Sequence, residues 1–470
     1  MKLTSDSSDV IVIGAGHNGL VCASYLAAAG RSVRVLEARN VIGGAALTEE
    51  FHPGFRNSVY SYSVSLLHPK VIADLALEAH GLEIMERPAG TLSFLDGDHL
   101  RLTRDGAQAR AEIARFSKRD AERIDAFEDE ISAVAIALRS LALQAPPNFG
   151  GGWSDAVGLL KAGNQLHKLS SEHQIILGEL MTRSLGDHLD SWFEGDALKG
   201  VLGLEGVIGN YADPYNPGTA YVLLHHAFGE VKGRAGAWGI AQGGMGAISD
   251  SIARSARARG VEIVTESPVA RIIEENGKAA GVLTEDGREF RAATIAANVH
   301  PQILLRKLLD AKHLDERDQR RIDNYRSHSA TFRMNVALSE LPRFSTVADG
   351  DESHFMGALE FCPSLHYMRT AYNEAQKKGW SQRPIISMQL PSLFCQHFQR
   401  HLPDGQIWDE VADQVADQII DTVDQHAPNF RSSIVGRQIK TPLDIERDLN
   451  MVGGEIFHGA LHLDQFYSLR

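Results

Sequence analysis

The chain is poor in cysteine, with only Cys22, Cys362 and Cys395 among 470 residues. These three residues are far apart and form no C-x-x-C pair, which argues against a disulfide framework and a redox-active dithiol. An excess of positive charge is also lacking, since 47 lysines and arginines face 60 aspartates and glutamates, giving a formal net charge of -13. This negative balance disfavours nonspecific binding to phosphate backbones, so we expect no nucleic acid partner.

Long hydrophobic runs are missing as well. The first nine residues contain one lysine and no apolar core, which argues against a secretory signal. The most apolar stretch, Val10 to Ala29, is interrupted by His17, Asn18 and several glycines, and it fits a strand, a turn and a helix better than a membrane span. We therefore expect a cytoplasmic protein without a transmembrane segment, and leave open a peripheral contact with a membrane.

Motifs for nucleophilic, phosphate-transfer and metal chemistry are absent from the sequence. It contains no G-x-S-x-G elbow, no P-loop and no H-E-x-x-H. His458 and His462 are four residues apart, but two histidines without a third ligand make a poor metal site. We expect no resident metal ion.

The clearest positive signal lies near the N-terminus. Residues 9–13 form a short apolar, β-branched run of the kind found in a strand buried on both faces of a parallel sheet. The next residues fit G-x-G-x-x-G, with Gly14 for a tight turn, Gly16 for close approach to a pyrophosphate and Gly19 for close packing of helix on strand. An alanine-rich helix over residues 20–29 follows, and its N-terminus is suited to a phosphate. The pattern predicts the first part of a dinucleotide-binding domain.

A second strand over residues 32–36 brings Glu37 to its carboxyl end. The separation from the glycine motif is about the ~20 residues at which an acid binds an adenosine ribose through its hydroxyls, which disfavours a 2′-phosphate. The Gly43-Gly44 pair that comes next allows the chain to pass close to an extended cofactor and favours FAD over NAD. The candidate cofactor-binding residues in this stretch are Glu37, Ala38, Arg39, Gly43, Gly44 and Ala45. For Arg39, a solvated loop position is an equally good interpretation.

A second cofactor-binding segment is predicted in the middle of the chain. Seven glycines between residues 229 and 246 indicate close backbone approach at a cavity wall, or else a surface loop. A helix over residues 247–259 follows, and short strands with turns at Asn276-Gly277 and Asp286-Gly287 then form a β-meander. An apolar strand over residues 293–298 completes the series and is expected to return to the parallel sheet.

These motifs resemble the phytoene desaturase-type family of FAD-dependent oxidoreductases. The likeness rests on residues 14–21, 41–50, 211–221, 453–460 and 463–466, and it is nearest to the group that contains pyridine nucleotide-disulfide oxidoreductase domain-containing protein 2. The resemblance implies backbone contact of Val269 with adenine, and positions for Ala297 and Asn298 near the pyrophosphate. It also implies that His458 lies near the flavin, where it handles the proton that leaves with a hydride. Weaker candidates, each with a structural role as the main alternative, are His225, His226, Tyr60 and Tyr62.

The fold class implied is α/β, with a discontinuous Rossmann-type FAD-binding domain that carries a β-meander, plus an α+β substrate or cap domain. We expect residues 1–74 and 231–300 to bind FAD, and residues 75–230 and 301–440 to form the substrate domain. Residues 441–470 resemble the start of a C-terminal FAD-binding segment that family members continue. Its apparent incompleteness suggests a truncated chain, a partner chain that supplies the rest, or impaired flavin binding.

The function that follows is hydride transfer from a largely apolar small molecule to FAD. The protein is then needed mainly to orient a substrate C–H bond and to exclude water. Two alternatives stay open at this point. One is an NAD-linked dehydrogenase built on the same βαβ unit, and the other is a nonenzymatic interaction or assembly protein that retains the flavoprotein fold.

Overall fold

The computed structural model describes residues 7–87, 90–146, 148, 151–329, 331–390, 392–398 and 402–461. The chain divides into two compact units, each assembled from segments that are distant in sequence. The first unit comprises Met1–Met85, Gly239–Arg326 and Ile445–Val452. The second comprises Glu86–Trp238, Ser327–Asp444 and Gly453–Arg470.

Strands and helices are numbered here in chain order. The strands are β1 Ser7–Ile13, β2 Val33–Leu36, β3 Thr48–His52, β4 Phe55–Ser58, β5 Ile84–Glu86, β6 Thr91–Phe94, β7 His99–Leu102, β8 Glu230–Val231, β9 Arg234–Ala235, β10 Gly239–Ala241, β11 Glu262–Val264, β12 Val269–Glu275, β13 Lys278–Thr284, β14 Glu289–Ala297, β15 Thr331–Leu338, β16 Ala358–Phe361, β17 Trp380–Gln389, β18 Ser392–Phe398 and β19 Ile434–Lys440. The helices are α1 His17–Ala28, α2 Pro69–Asp74, α3 Gly106–Ala114, α4 Lys118–Arg139, α5 Trp153–His167, α6 Ser171–Thr182, α7 Leu185–Trp192, α8 Asp196–Val207, α9 Tyr221–Ala227, α10 Gly246–Ala258, α11 Pro301–Ile303, α12 Glu316–Asp323, α13 Leu365–Lys378, α14 Trp408–Asp424, α15 Phe430–Ser433 and α16 Pro442–Leu449.

The first unit is built on a six-stranded sheet in the order β11-β2-β1-β14-β13-β12. Strands β11, β2, β1 and β14 run parallel, whereas β12, β13 and β14 form antiparallel pairs. The central strand β1 is apolar throughout its second half because it is covered on both sides. Val10 and Val12 belong to one hydrophobic core, and Ile11 and Ile13 belong to another on the opposite face. The predicted doubly covered strand and the α/β fold class are confirmed.

The β-meander is present, but its last strand is longer than the sequence indicated. The predicted turn at Asn276-Gly277 has positive φ at both residues, 52° and 74°, as a tight hairpin requires. The sequence suggested one strand ending near residue 292 and another returning to the sheet. Instead, β14 is a single strand that pairs with β13 through its first residues and with β1 through its full length from Arg291 onward.

Helix ends follow local capping rather than apolar periodicity alone. Helix α1 begins at His17, three residues before the predicted start, and Gly30 follows its end with φ +81°. Apolar residues recur at helical spacing over residues 111–143, but this stretch is divided between α3 and α4. The division occurs at Ser117, whose side chain accepts a hydrogen bond from the Asp120 amide at the start of α4.

The second unit has a seven-stranded sheet in the order β19-β15-β18-β17-β16-β6-β7. One face carries Phe94, Phe361 and other apolar residues that pack against α14 in one hydrophobic core. Helix α14 is amphipathic and buries its apolar face in this core. A separate hydrophobic core contains residues of α4, α8 and α13 and the sheet residues Leu100 and Ile385. No helix among the described residues has the length and apolarity needed to cross a membrane.

Candidate flavin site

The glycine loop after β1 is packed too closely for side chains. Gly14 has φ +96°, and a Cβ added there would lie 2.8 Å from the carbonyl oxygen of Asn298. A Cβ on Gly19 would overlap the carbonyl oxygen of Gly14. The loop therefore holds the N-terminus of α1 directly against the end of β1, with the first-turn amides of the helix close to the strand end. This is the backbone arrangement that binds a pyrophosphate at a helix N-terminus.

Glu37 is held beside this loop by backbone hydrogen bonds. The amide of Ala15 donates to one carboxylate oxygen at 2.7 Å, and the amide of Arg39 donates to the other at 3.0 Å. The main chain of Glu37 is fixed in turn, because its N–H donates to Val264 and its carbonyl accepts from Ser267. Glu37 is buried, at 9% exposure. A carboxylate fixed in this way is an acceptor for ribose hydroxyls next to a pyrophosphate.

Gly43 and Gly44 lie against the same loop. The Gly43 amide donates to the Ala15 carbonyl at 2.9 Å, and Gly16 and Gly43 form an isolated parallel bridge. Both Gly43 and Gly44 have positive φ, and a Cβ on Gly44 would lie 3.2 Å from the Cα of Gly16. The glycine pair thus brings two backbone segments into contact. The neighbouring Ala45 carbonyl accepts the amide and the hydroxyl of Ser61, while Ala38 is exposed.

The second chain segment completes the same corner of the first unit. Ala297 is the register partner of Ile13, and the Asn298 amide donates to the Ile13 carbonyl at 2.8 Å. The Asn298 side-chain nitrogen lies close to the Cβ positions of Gly16 and Gly19. Val269 begins β12, two residues after Ser267, which is bonded to Glu37. The fold therefore brings together the candidate residues that the sequence placed in two distant segments.

The glycine-rich stretch before α10 divides into two parts. Gly244 and Gly246 are tightly enclosed, and a Cβ on either would approach the Thr48 side chain. Gly233 and Gly236 have open space around them. Hydroxyl groups also cap the start of α10, since the Met245 amide donates to Ser58 and the Gly246 amide donates to Thr48. These hydroxyl residues could not be recognised from the sequence, because single serines and threonines in a β-hairpin form no specific pattern.

Two candidate polar side chains near the glycine pair have partners within the first unit. The Arg39 guanidinium lies 3.5 Å from the Glu49 carboxylate, with both side chains partly exposed. The Tyr60 hydroxyl donates to the Asp448 carboxylate at 2.6 Å. Burial, reinforced by this bond to Asp448, raises the pKa of Tyr60. Tyr60 therefore stays protonated at neutral pH and connects its loop to α16.

His458 lies in the second unit, on a tight turn. It is exposed and has φ 58°, in the left-handed region. The turn is organised by Glu455, whose buried carboxylate accepts the amides of Phe457 and Gly459 at 2.8 and 2.9 Å. The assignment of His458 as a proton carrier stays a prediction. His462 lies outside the described residues, as do the side chains of His225 and His226.

Metal ligands do not cluster in the part of the chain that the structure describes. There, no group of three or more His, Cys, Asp or Glu side chains is arranged to hold an ion. What the first unit offers is a glycine cradle, helix-terminal amides and a buried, oriented acid. This donor set fits the ADP part of a dinucleotide.

Comparison with known proteins identifies the family. Residues 19–332 match the model of the flavin containing amine oxidoreductases. The chain is 36% identical to the rat pyridine nucleotide-disulfide oxidoreductase domain-containing protein 2, over 98% of this chain and 86% of that protein. It is 24% identical to a lycopene-forming phytoene desaturase of Pantoea ananas, over 95% of this chain and 88% of the desaturase.

A solved structure supports the fold. An oxidoreductase from Methanosarcina mazei superposes with a TM-score of 0.56 at 16% identity, covering 92% of this chain and 87% of that one. The resemblance to phytoene desaturase-type enzymes and the expectation of FAD are confirmed. The chain belongs to the flavin containing amine oxidoreductase family and is an FAD-dependent oxidoreductase.

Proposed function

We propose that the ADP part of FAD lies across the glycine loop of the first unit and that the enzyme oxidises a largely apolar small molecule. The observation that carries this proposal is the Glu37 carboxylate, which backbone amides of Ala15 and Arg39 hold beside Gly14 and Gly16. Bound FAD would accept a hydride from the substrate and pass its electrons to oxygen, a quinone or another acceptor. The protein then has to bind and orient the substrate and to exclude water from it.

Each candidate residue has a defined role in this proposal. The amides at the start of α1 bind the pyrophosphate, with Ala297 and Asn298 on its other side, and Glu37 accepts the ribose hydroxyls. Ala38, Arg39, Gly43, Gly44 and Ala45 line the adenosine and pyrophosphate, and the backbone of Val269 contacts adenine. The second unit binds the substrate, and His458 takes up the proton that leaves with the hydride.

Two relatives suggest where to look for the substrate. The Pantoea ananas relative is a phytoene desaturase, and another relative, from Castellaniella defragrans, is a limonene dehydrogenase subunit. Both names denote hydrocarbon oxidation, which is why we propose an apolar substrate. We also propose a cytoplasmic location. Measurements of molecular size with and without added FAD would test whether a partner chain takes part in flavin binding.

The test is the visible absorption spectrum of purified protein after addition of FAD and removal of the excess. Retained oxidised-flavin absorbance is expected for the wild type and for Glu289→Gln, an exposed acid of the same unit, and reduced retention is expected for Glu37→Ala. Loss of flavin absorbance on anaerobic addition of a hydrocarbon substrate would show turnover. Tighter binding of NAD than of FAD would refute the proposal.

His458 needs a separate test, because flavin binding does not report on it. We expect His458→Gln to lower the rate of flavin reduction and to remove a pH-dependent step from that rate, while FAD affinity stays the same. His366→Gln, which changes an exposed histidine of α13, is the matched control. An unchanged pH profile in His458→Gln would exclude the proton-transfer role.

A further inference from the structure

The seven-stranded sheet of the second unit has a polar row on one face. Ser93 in β6, Glu360 in β16 and Ser387 in β17 are register partners of one another across neighbouring strands. The residues before and after each of them pack into the core that contains α14, so the three polar side chains point to the opposite face. All three are buried, at 0%, 5% and 3% exposure.

Two atoms of this row are buried without a hydrogen bond to any described residue. They are the Ser93 hydroxyl oxygen and the Glu360 Oε2. Buried polar groups are nearly always paired, because an unpaired one loses its hydration without compensation. Leu100, opposite Ser93, and Ile385 are apolar neighbours on the same face. Farther along the sheet, on β15, this face also carries the buried Arg333. The pair is therefore a polar spot bordered by apolar side chains.

A second acid, Glu205 of α8, lies near this spot. The residue as a whole is half-buried, and desolvation of its carboxyl raises the pKa of Glu205 to about 7. Burial raises the pKa of Glu360 to about 8, and the charge of Glu205 adds to the shift while Arg87 opposes it. The other ionisable groups coupled to these acids are Glu128 and Cys362. At neutral pH, Glu360 is therefore mainly protonated, and its O–H is a hydrogen-bond donor like that of Ser93.

We infer that Ser93 and Glu360 form a recognition site for a single carbonyl or hydroxyl oxygen on an otherwise apolar ligand. Two donors at adjacent register positions match the two lone pairs of such an oxygen, and the apolar neighbours suit a hydrocarbon body. The site gives the substrate a fixed end and so determines which carbon atoms are presented for oxidation. This inference rests on the proposed function, in which the second unit binds the substrate.

Octan-2-one and octane are suitable probes, because they differ only by the oxygen in question. Their dissociation constants are measured by calorimetry on the 470-residue protein with and without added FAD. We expect the wild type to prefer the ketone by roughly tenfold, since each unmade hydrogen bond to a buried group lowers affinity by about that factor or less. A carbonyl-labelled ketone should also show an infrared stretching band shifted by hydrogen bonding.

Variants show whether the preference for the ketone depends on Ser93 and Glu360 or on other polar groups of the second unit. Ser93→Ala and Glu360→Leu should reduce the preference for the ketone to about twofold and reverse part of the infrared shift. Glu360→Gln should keep most of the preference, because the amide also donates. Ser381→Ala, at a buried β17 serine whose hydroxyl already donates to Glu374, and Glu352→Gln, at an exposed acid, should leave it unchanged.

The outcomes separate this inference from the proposed function. The inference would be overturned by equal affinity of the wild type for ketone and alkane, or by an unchanged preference in both Ser93→Ala and Glu360→Leu. The polar row would then be a site for ordered water. Flavin absorbance is recorded for every sample. If the protein failed to retain FAD but showed the ketone preference and its loss in Ser93→Ala, the site would stand and the proposed function would fall.

Discussion

Glu37 of the first unit and Glu360 of the second are both buried carboxyls, at 9% and 5% exposure, but their surroundings differ. Both oxygens of Glu37 accept backbone amides, whereas the Oε2 of Glu360 has no hydrogen-bond partner among the described residues. The first acid is therefore an acceptor that is already oriented. The second is mainly a neutral donor.

The difference shows how a fold prepares polar groups for two kinds of ligand. A dinucleotide has a fixed shape, and its site is made of backbone groups that are positioned before binding. A substrate-binding face has to be specific with few polar atoms, and a buried group without a partner supplies that specificity because a ligand lacking the matching group leaves it unpaired. Such a group lowers stability, so its presence in a packed layer points to a role in binding.

The largest effect is expected at Gly19, where the dinucleotide loop has no room for a side chain. Gly19→Ala should lower the free energy of unfolding of the first unit by about 3 kcal/mol, because the new Cβ overlaps the Gly14 carbonyl. Urea unfolding, monitored through the release of flavin, measures this change in the free energy of unfolding. Gly163→Ala in α5, where nothing lies within 4 Å of the added Cβ, is the control and should be neutral or slightly stabilising. Equal effects of the two changes would contradict the tight packing of the loop.

Glu37 should affect cofactor affinity more than stability. Glu37→Ala is expected to weaken FAD binding by about 100-fold, since a charged hydrogen-bonding group is worth roughly 1.5–3 kcal/mol. Equilibrium titration followed by flavin fluorescence gives the dissociation constant. Glu289→Gln on the same sheet should bind FAD like the wild type, and a comparable loss in that variant would show that the effect is not specific to Glu37.

Glu360 should make stability fall as pH rises. Its pKa is about 8 in the folded protein against an ordinary value of 4.5, so between these values the folded state holds a proton that the unfolded state has lost. The free energy of unfolding should therefore decline by about 1–3 kcal/mol from pH 5 to pH 8. Denaturant unfolding at several pH values measures this.

The amide variant tests the assignment of that pH dependence. Glu360→Gln should flatten the decline, leaving the smaller part due to Glu205, whose pKa of about 7 has the same sign of effect. Glu352→Gln should reproduce the wild-type curve. An unchanged slope in Glu360→Gln would mean that Glu360 is ionised throughout and would weaken the comparison with Glu37.

A smaller effect is expected at Tyr60, another polar group of the first unit that has its partner in place. Tyr60→Phe removes the hydrogen bond to Asp448 at 2.6 Å and should cost about 1 kcal/mol. Tyr25→Phe removes the exposed bond to Asp74 and should cost less, about 0.3 kcal/mol. Thermal unfolding of the two variants at one pH compares them, and a larger loss in Tyr25→Phe would argue against the partly buried bond at Tyr60.

Much of the first unit could be predicted because its signals are local. Strand β1, the glycine loop and Glu37 lie within residues 7–37, and the hairpin at Asn276-Gly277 depends on two adjacent residues. The continuous strand β14 could not be predicted, because the change from antiparallel to parallel pairing depends on which strands lie beside it. The hydroxyl caps of α10 were missed for the same reason, since Thr48 and Ser58 reach that helix only through the fold.

The sequence by itself determined the dinucleotide-binding class and the FAD-dependent family, because glycine spacing, strand apolarity and a terminal acid impose their chemistry over short distances. Only the tertiary structure decided which side chains share the buried face of the second sheet. Ser93 and Glu360 are 267 positions apart in the chain, and β6 and β16 meet through a parallel pairing that no local pattern specifies. The Ser93 hydroxyl and the Glu360 carboxyl are buried side by side because these two strands pair, and the donor pair results from this pairing.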